Sequence, residues 1–139
     1  MPDYMVKSDF QKSRAFSPAV VTQGGRTVWL AGCTATKDDA GNDISGNFEA
    51  QVRTVFGMMD QTIRRAGGTL ANLVTVTVFI KEPRYGDRFV EMRGSFFPDG
   101  NFPASALITV TNFARPGMEI EIQGVAVVGD ECTNGKCST

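Results

Sequence analysis

At 139 residues the chain is long enough to bury one hydrophobic core and too short for two. With 42% hydrophobic and 21% charged residues and a formal net charge of −1, it has the balance of a soluble globular domain, not the basic patch or stripe of a nucleic-acid surface. There is no histidine, which removes His-ligated zinc and every His-based nucleophilic dyad or triad together.

The opening segment MPDYMVKSDF lacks the apolar core of a signal peptide, and no run reaches the roughly 18 apolar residues of a membrane span, so a cytoplasmic protein is expected. A short strand is expected near Tyr4–Ser8. From Ala19 to Leu30 two β-prone stretches flank Gln23-Gly24-Gly25-Arg26, the pattern of a hairpin. Residues 37–46 are a polar loop. Asn47 then caps a helix in which Phe48, Val52, Val55, Phe56, Met59 and Ile63 recur at helical spacing, and Gly67-Gly68 end it.

Leu73–Ile80, LVTVTVFI, is a strand with Val74, Val76, Val78 and Ile80 on one face and Thr75, Thr77 and Phe79 on the other. That second face is semi-polar rather than charged, which suits a covering subunit or a cavity rather than bulk water. A second helix runs from about Tyr85 to Phe97, with Tyr85, Phe89, Met92 and Phe96 on one stripe and Pro98 and Gly100 stopping it. Strands near Ser105–Thr111 and Glu119–Val127 follow. In the last, Ile120, Ile122 and, after an irregularity, Val125 or Val127 face the helices, and Glu119, Glu121 and Gln123 lie opposite. The order β-β-α-β-α-β-β with two helices on one face of a mixed sheet is an α+β layer. Residues 1–129 form one domain. Residues 130–139 form a flexible tail in which Cys132 and Cys137 could pair or bind metal, though its Gly, Asn, Ser and Thr content favours neither.

A Phe102-Pro103-Ala104 entry, a strand, the Ala114-Arg115-Pro116-Gly117 turn and the Ile120-Glu121-Ile122 segment resemble the signature end of the Rid (YjgF) family. The resemblance spans roughly residues 16–128 and includes the Ala31-Gly32 strand end and Phe96-Phe97. It implies a chorismate-mutase-like fold, a homotrimer with a central barrel, ligand clefts between subunits, and hydrolysis of reactive imines or enamines without metal or cofactor.

The family pattern continues Pro-Ala with an arginine that grips a substrate carboxylate in two-pronged fashion; here that place is Ser105, which offers one hydroxyl and no charge. Either the substrate lacks a carboxylate at that end, being larger or less acidic than 2-iminopropionate, or another arginine reaches the cleft. Arg93, Arg14 and Arg115 are available, each against the simpler reading of a solvated surface residue. Glu121 matches the cleft glutamate that positions or activates water. Ala31 and Cys33 flank Gly32 where a serine and a glutamine are common, and Cys33 reads as a small, buried, unreactive residue. Phe16 sits near an aromatic pocket wall, although a two-residue slip puts Pro18 there. Val90 and Leu107 replace an asparagine and a cysteine, so the pocket is expected to be more apolar. The implied partners are a small-molecule substrate and two further copies of the chain, with no membrane and no nucleic acid. A ligand-binding trimer without hydrolytic activity is the alternative, with ribonuclease activity behind it.

Overall fold

The computed structural model describes residues 2–129, 132–133 and 136–137. In chain order the elements are β1 (Asp3–Tyr4), α1 (Asp9–Ser13), β2 (Val20–Val21), β3 (Arg26–Trp29), α2 (Phe48–Arg65), β4 (Leu73–Ile80), α3 (Gly86–Phe96), β5 (Ala104–Thr109), β6 (Ile120–Val128), β7 (Cys132–Thr133) and β8 (Lys136–Cys137). The main sheet has the order β3-β6-β4-β5, antiparallel except for the parallel β4–β5 pair. The fold is α+β, as the sequence implies. Among the described residues no helix is long and apolar enough to cross a membrane. The expected C-terminal tail lies largely outside the described residues; within it, β7 pairs antiparallel with β8.

The best-encoded element is α2. Asn47 accepts a hydrogen bond from the Ala50 N–H at 3.1 Å and so satisfies one of the unpaired donors of the first turn. At the other end the Gly68 N–H bonds to Ile63 O and the Gly67 N–H to Arg64 O, with Gly67 at φ +94°; this is the Schellman arrangement that glycine accepts at no steric cost. Val52, Val55, Phe56, Met59 and Ile63 are buried against Leu73, Val76, Val78, Ile122 and Ala126 of the sheet. Phe56 stands at the centre of an aromatic group with Phe89, Phe96 and Phe97, the ring centroids 4.5–6.3 Å apart.

The close fit at the end of α2 makes a sharp prediction. A Cβ on Gly68 would lie 2.5 Å from Val128 Cγ1 and 2.7 Å from Asn72 Oδ1. Asn72 is not free to move, because Oδ1 accepts from the Thr69 N–H and Nδ2 donates to Val127 O. Gly68→Ala is expected to lower stability by about 1–3 kcal/mol, the usual cost of forcing an extra methyl into a packed site. A urea midpoint equal to that of the parent would refute the point.

Four expectations are corrected. The Gly24-Gly25 turn forms, both residues with positive φ, but it does not close a hairpin: β2 pairs with β1 and β3 with β6. Local turn chemistry was legible; the pairing partners, a hundred residues away in one case, were not. The N-terminal strand covers Asp3–Tyr4 only, and Ser8 instead caps α1 with a reciprocal bond to Gln11. In β4 a bulge falls between Leu73 and Thr75, so Leu73 and not Val74 joins Val76, Val78 and Ile80 in the core. Because the irregularity sits there, β6 alternates without interruption: Ile120, Ile122, Gly124, Ala126 and Val128 are buried under the helices, and Val125 and Val127 lie on the opposite face with Glu121 and Gln123.

Candidate functional site

The residues singled out in the sequence form two groups at separate places on the sheet. The first gathers where β3 runs out. Past Trp29 the chain still follows β6, with the Leu30 N–H on Gly124 O and Cys33 exchanging backbone hydrogen bonds with Ile122. Glu121 lies one residue beyond this bridge, and its side chain folds back over Gly32. A Cβ on Gly32 would lie 2.7 Å from Glu121 Oε2, so the carboxylate rests directly on the glycine backbone. Ala31 and Gly32 are exposed and Glu121 is half-buried, on the face of the sheet away from the helices.

Cys33 alternates to the other face, where its thiol approaches Val55 O of α2 at 3.9 Å. It is half-buried, and desolvation, followed by the nearby Glu121 charge, raises its pKa above the usual thiol value. A raised pKa means little thiolate at neutral pH, in line with the reading of an unreactive residue. Two outcomes follow: Cys33 should alkylate more slowly than a model thiol at pH 8, and Glu121→Gln should speed it, since the second cause of the shift disappears. Peptide mass spectrometry after iodoacetamide treatment reads both, and an unchanged rate in the variant would remove the electrostatic link.

The second group lies along β5, an edge strand of the main sheet. In parallel register Ser105 sits beside Val76 and Leu107 beside Val78, so both point to the helix side, beneath α3. Leu107 packs against the core near Gly86, and Val90 of α3 is buried within it. Arg93, also on α3, is only 2% exposed, which overturns its reading as a solvated arginine. Its Nη1 donates to Ser105 Oγ at 2.6 Å and its Nη2 to Arg14 O at 2.8 Å. Phe16 lies next to this point, because Ser17 bridges to Ala104 and donates through its N–H to Pro103 O and its hydroxyl to Phe102 O. Arg115 is exposed in its turn.

Sequence reasoning missed what shapes this corner. Ala15 is buried at φ +56°, a left-handed conformation that a non-glycine residue adopts only when its surroundings impose it. The kink aims Arg14 O at Arg93 and starts Phe16-Ser17 along β5. Nothing in an alanine codon-by-codon announces such a backbone; the short α1 and its Ser8–Gln11 capping box were the only signals available. A separate depression of about 500 Å³ is lined by Ser45–Glu49, Tyr85 and Arg88, and it includes none of the candidate substrate-site residues.

The two groups do not meet within the chain. Adjacent strands lie about 4.8 Å apart, so β5 and β6 are separated by roughly 10 Å and β5 and β3 by roughly 14 Å. Glu121 and Ser105 also point to opposite faces. The face carrying Glu121 mixes apolar and polar side chains: Trp29 is 79% exposed and Ile108 41%, with Phe79, Val125 and Val127 between them beside Thr75, Thr77 and Gln123.

Residues 6–128 match the family described as endoribonuclease L-PSP. Among solved structures, a member of the conserved Rid family from Yersinia pestis superposes with a TM-score of 0.80 at 23% identity, over 91% of this chain and 98% of that one. A member of the YjgF/YER057c/UK114 family from Mycobacterium tuberculosis gives 0.63 at 25% identity, covering 92% and 100%. A Thermotoga maritima protein, described provisionally as an endoribonuclease, gives 0.65 at 29% identity, covering 81% and 85%.

Proposed function

The chain belongs to the endoribonuclease L-PSP family, that of the Rid (YjgF) proteins, and from this membership we propose that it hydrolyses a reactive imine or enamine without a cofactor. The observation that carries the reading is the Glu121 carboxylate seated on the Gly32 backbone, on the sheet face that also carries Trp29, Phe79 and Val125. A carboxylate so placed can take a proton from water as the oxygen attacks the C=N carbon. The proton passes to nitrogen, the C–N bond breaks, and ammonia leaves with formation of a carbonyl product. A protonated imine is already electrophilic, so orientation, one polarised water and a dry wall supply what the reaction needs.

The cleft is completed by self-association. Three copies packed through their open faces would cover Trp29 and Ile108 and bring the Glu121 group of one protomer to the β5 edge of the next, joining halves that one chain holds apart. The substrate is larger or less acidic than 2-iminopropionate, because Ser105 offers no two-pronged grip. Ribonuclease action is not favoured: a net charge of −1 gives little electrostatic attraction for a polyanion.

The test couples the protein to a dehydratase that releases 2-aminoacrylate and follows keto-acid or semicarbazone formation, beside a series of bulkier imines. Slow turnover of 2-iminopropionate and faster turnover of larger imines is the expected result. Turnover of 2-iminopropionate equal to that of an arginine-bearing relative would sink the substrate assignment, and no acceleration with any imine would sink the reaction.

A further inference from the structure

Gln51 carries a primary amide, a group that usually stays in water, yet its side chain is fully buried. It stands on the inner face of α2, one turn from the Asn47 cap. Nε2 donates to Ile44 O at 2.9 Å and to Gly117 O at 2.7 Å, and Oε1 accepts from the Glu119 N–H at 2.8 Å. One side chain thus ties together the loop before α2, the turn after β5 and the residue that precedes β6. The two loops already touch: the Gly46 N–H bonds to Gly117 O, and a Cβ on Gly117 would stand 2.8 Å from Ser45. A buried amide is costly unless its hydrogen bonds are complete, and a methionine would fill the same space without that requirement. Packing alone does not call for glutamine at this place.

What the amide supplies lies two residues downstream. Glu121 is the second residue of β6, near the end of the strand. On one side of it the nearest bridge is that of Cys33 with Ile122, one residue further in. On the other side β4 ends at Ile80, and beyond it the Lys81 N–H reaches Glu119 O at a long 3.3 Å. In a continuing antiparallel ladder Lys81 O would take the Glu119 N–H in return; Gln51 takes it instead. Strand ends open more readily than strand centres, while a group that acts on water must keep within about 0.5 Å of its productive place. We propose that Gln51 is a positioning residue, clamping the entry of β6 so that the Glu121 carboxylate stays seated on Gly32. The inference rests on the reading above for what that carboxylate does, and not for where it is held.

The experiment is a double-mutant cycle on the full chain. Gln51→Met keeps the volume and removes all three bonds; it should lower kcat for imine hydrolysis about tenfold or more, with KM within about twofold of the parent. In a Glu121→Gln background the same change should cost less than about twofold, because no base remains to be misplaced. A merely structural role would cost the same in both backgrounds. Gln51→Lys keeps donors for Ile44 O and Gly117 O and loses only the acceptor, so it isolates the bond to Glu119 and decides the matter if Gln51→Met does not fold. Gln51→Glu, which keeps the acceptor, should retain more of kcat than either. Parent kcat in Gln51→Lys, or equal losses in the two backgrounds, would overturn the proposal. Should the parent turn over no imine, the rate of Cys33 alkylation by iodoacetamide reads the same cycle: Gln51→Lys should speed it in the parent background and not in Glu121→Gln, and equal rates would overturn the clamp. That alkylation pattern without turnover would keep the clamp and lose the reaction, whereas imine turnover with equal losses in both backgrounds would do the reverse.

Discussion

Glu121→Gln is expected to reduce kcat for imine hydrolysis by about 10²–10⁴-fold, the range that one well-placed general base contributes. Glutamine keeps the size and the hydrogen-bonding oxygen of the side chain but cannot accept the proton of the attacking water. KM should change little, because the carboxylate acts on water and not on the substrate's own anion. Gly32→Ala makes the same point without touching the glutamate: the added Cβ would stand 2.7 Å from Oε2, so the carboxylate must swing away. Wild-type kcat in Glu121→Gln would exclude this residue from the chemistry. A loss in Glu121→Gln with full activity in Gly32→Ala would mean that the carboxylate's seat on the glycine does not matter.

Trp29→Glu is the second substitution with a large expected effect. Trp29 is 79% exposed on the face opposite the helices and pairs in register with Val125. A tryptophan at the centre of an interface commonly contributes about 2–4 kcal/mol, and a buried, unpaired glutamate in its place adds a desolvation cost. Size-exclusion chromatography with light scattering should show a trimer for the parent and a smaller species for the variant at the same concentration. The core is untouched, since Trp29 points away from α2 and α3, so the helical circular-dichroism signal should persist while activity is lost on dilution. A monomeric parent would leave the two halves of the cleft apart and end the proposed mechanism.

Much of the architecture could be read from the chain, and the reasons are local. An eighteen-residue amphipathic helix with an asparagine cap and a Gly-Gly stop declares itself, as α2 does. So does an alternating strand such as β4, although one bulge reversed the role of Val74. What could not be read depends on contacts distant in sequence. The Gly24-Gly25 turn looked like a hairpin because turn chemistry is local and strand pairing is not. Glu121 and Gly32 are brought together only because the chain past β3 bridges β6 again at Cys33 and Ile122. Arg93 was the clearest failure: an arginine near the end of a helix reads as solvated, and only the packing of α3 over β5 places it behind Ser105. Ser105 looked like a simple loss of positive charge, whereas the charge is present one layer deeper.

The placement of the two residue groups at different strands and on different faces has a genetic consequence. If each cleft takes Glu121 from one chain and Ser105 with Arg93 from its neighbour, two separately inactive variants can rescue one another. Randomly mixed subunits, half carrying Glu121→Gln and half a substitution that disables the β5 edge at Ser105, would place an intact pair of halves at about one cleft in four. Co-expression of two defective alleles would then restore measurable turnover that neither allele supports alone.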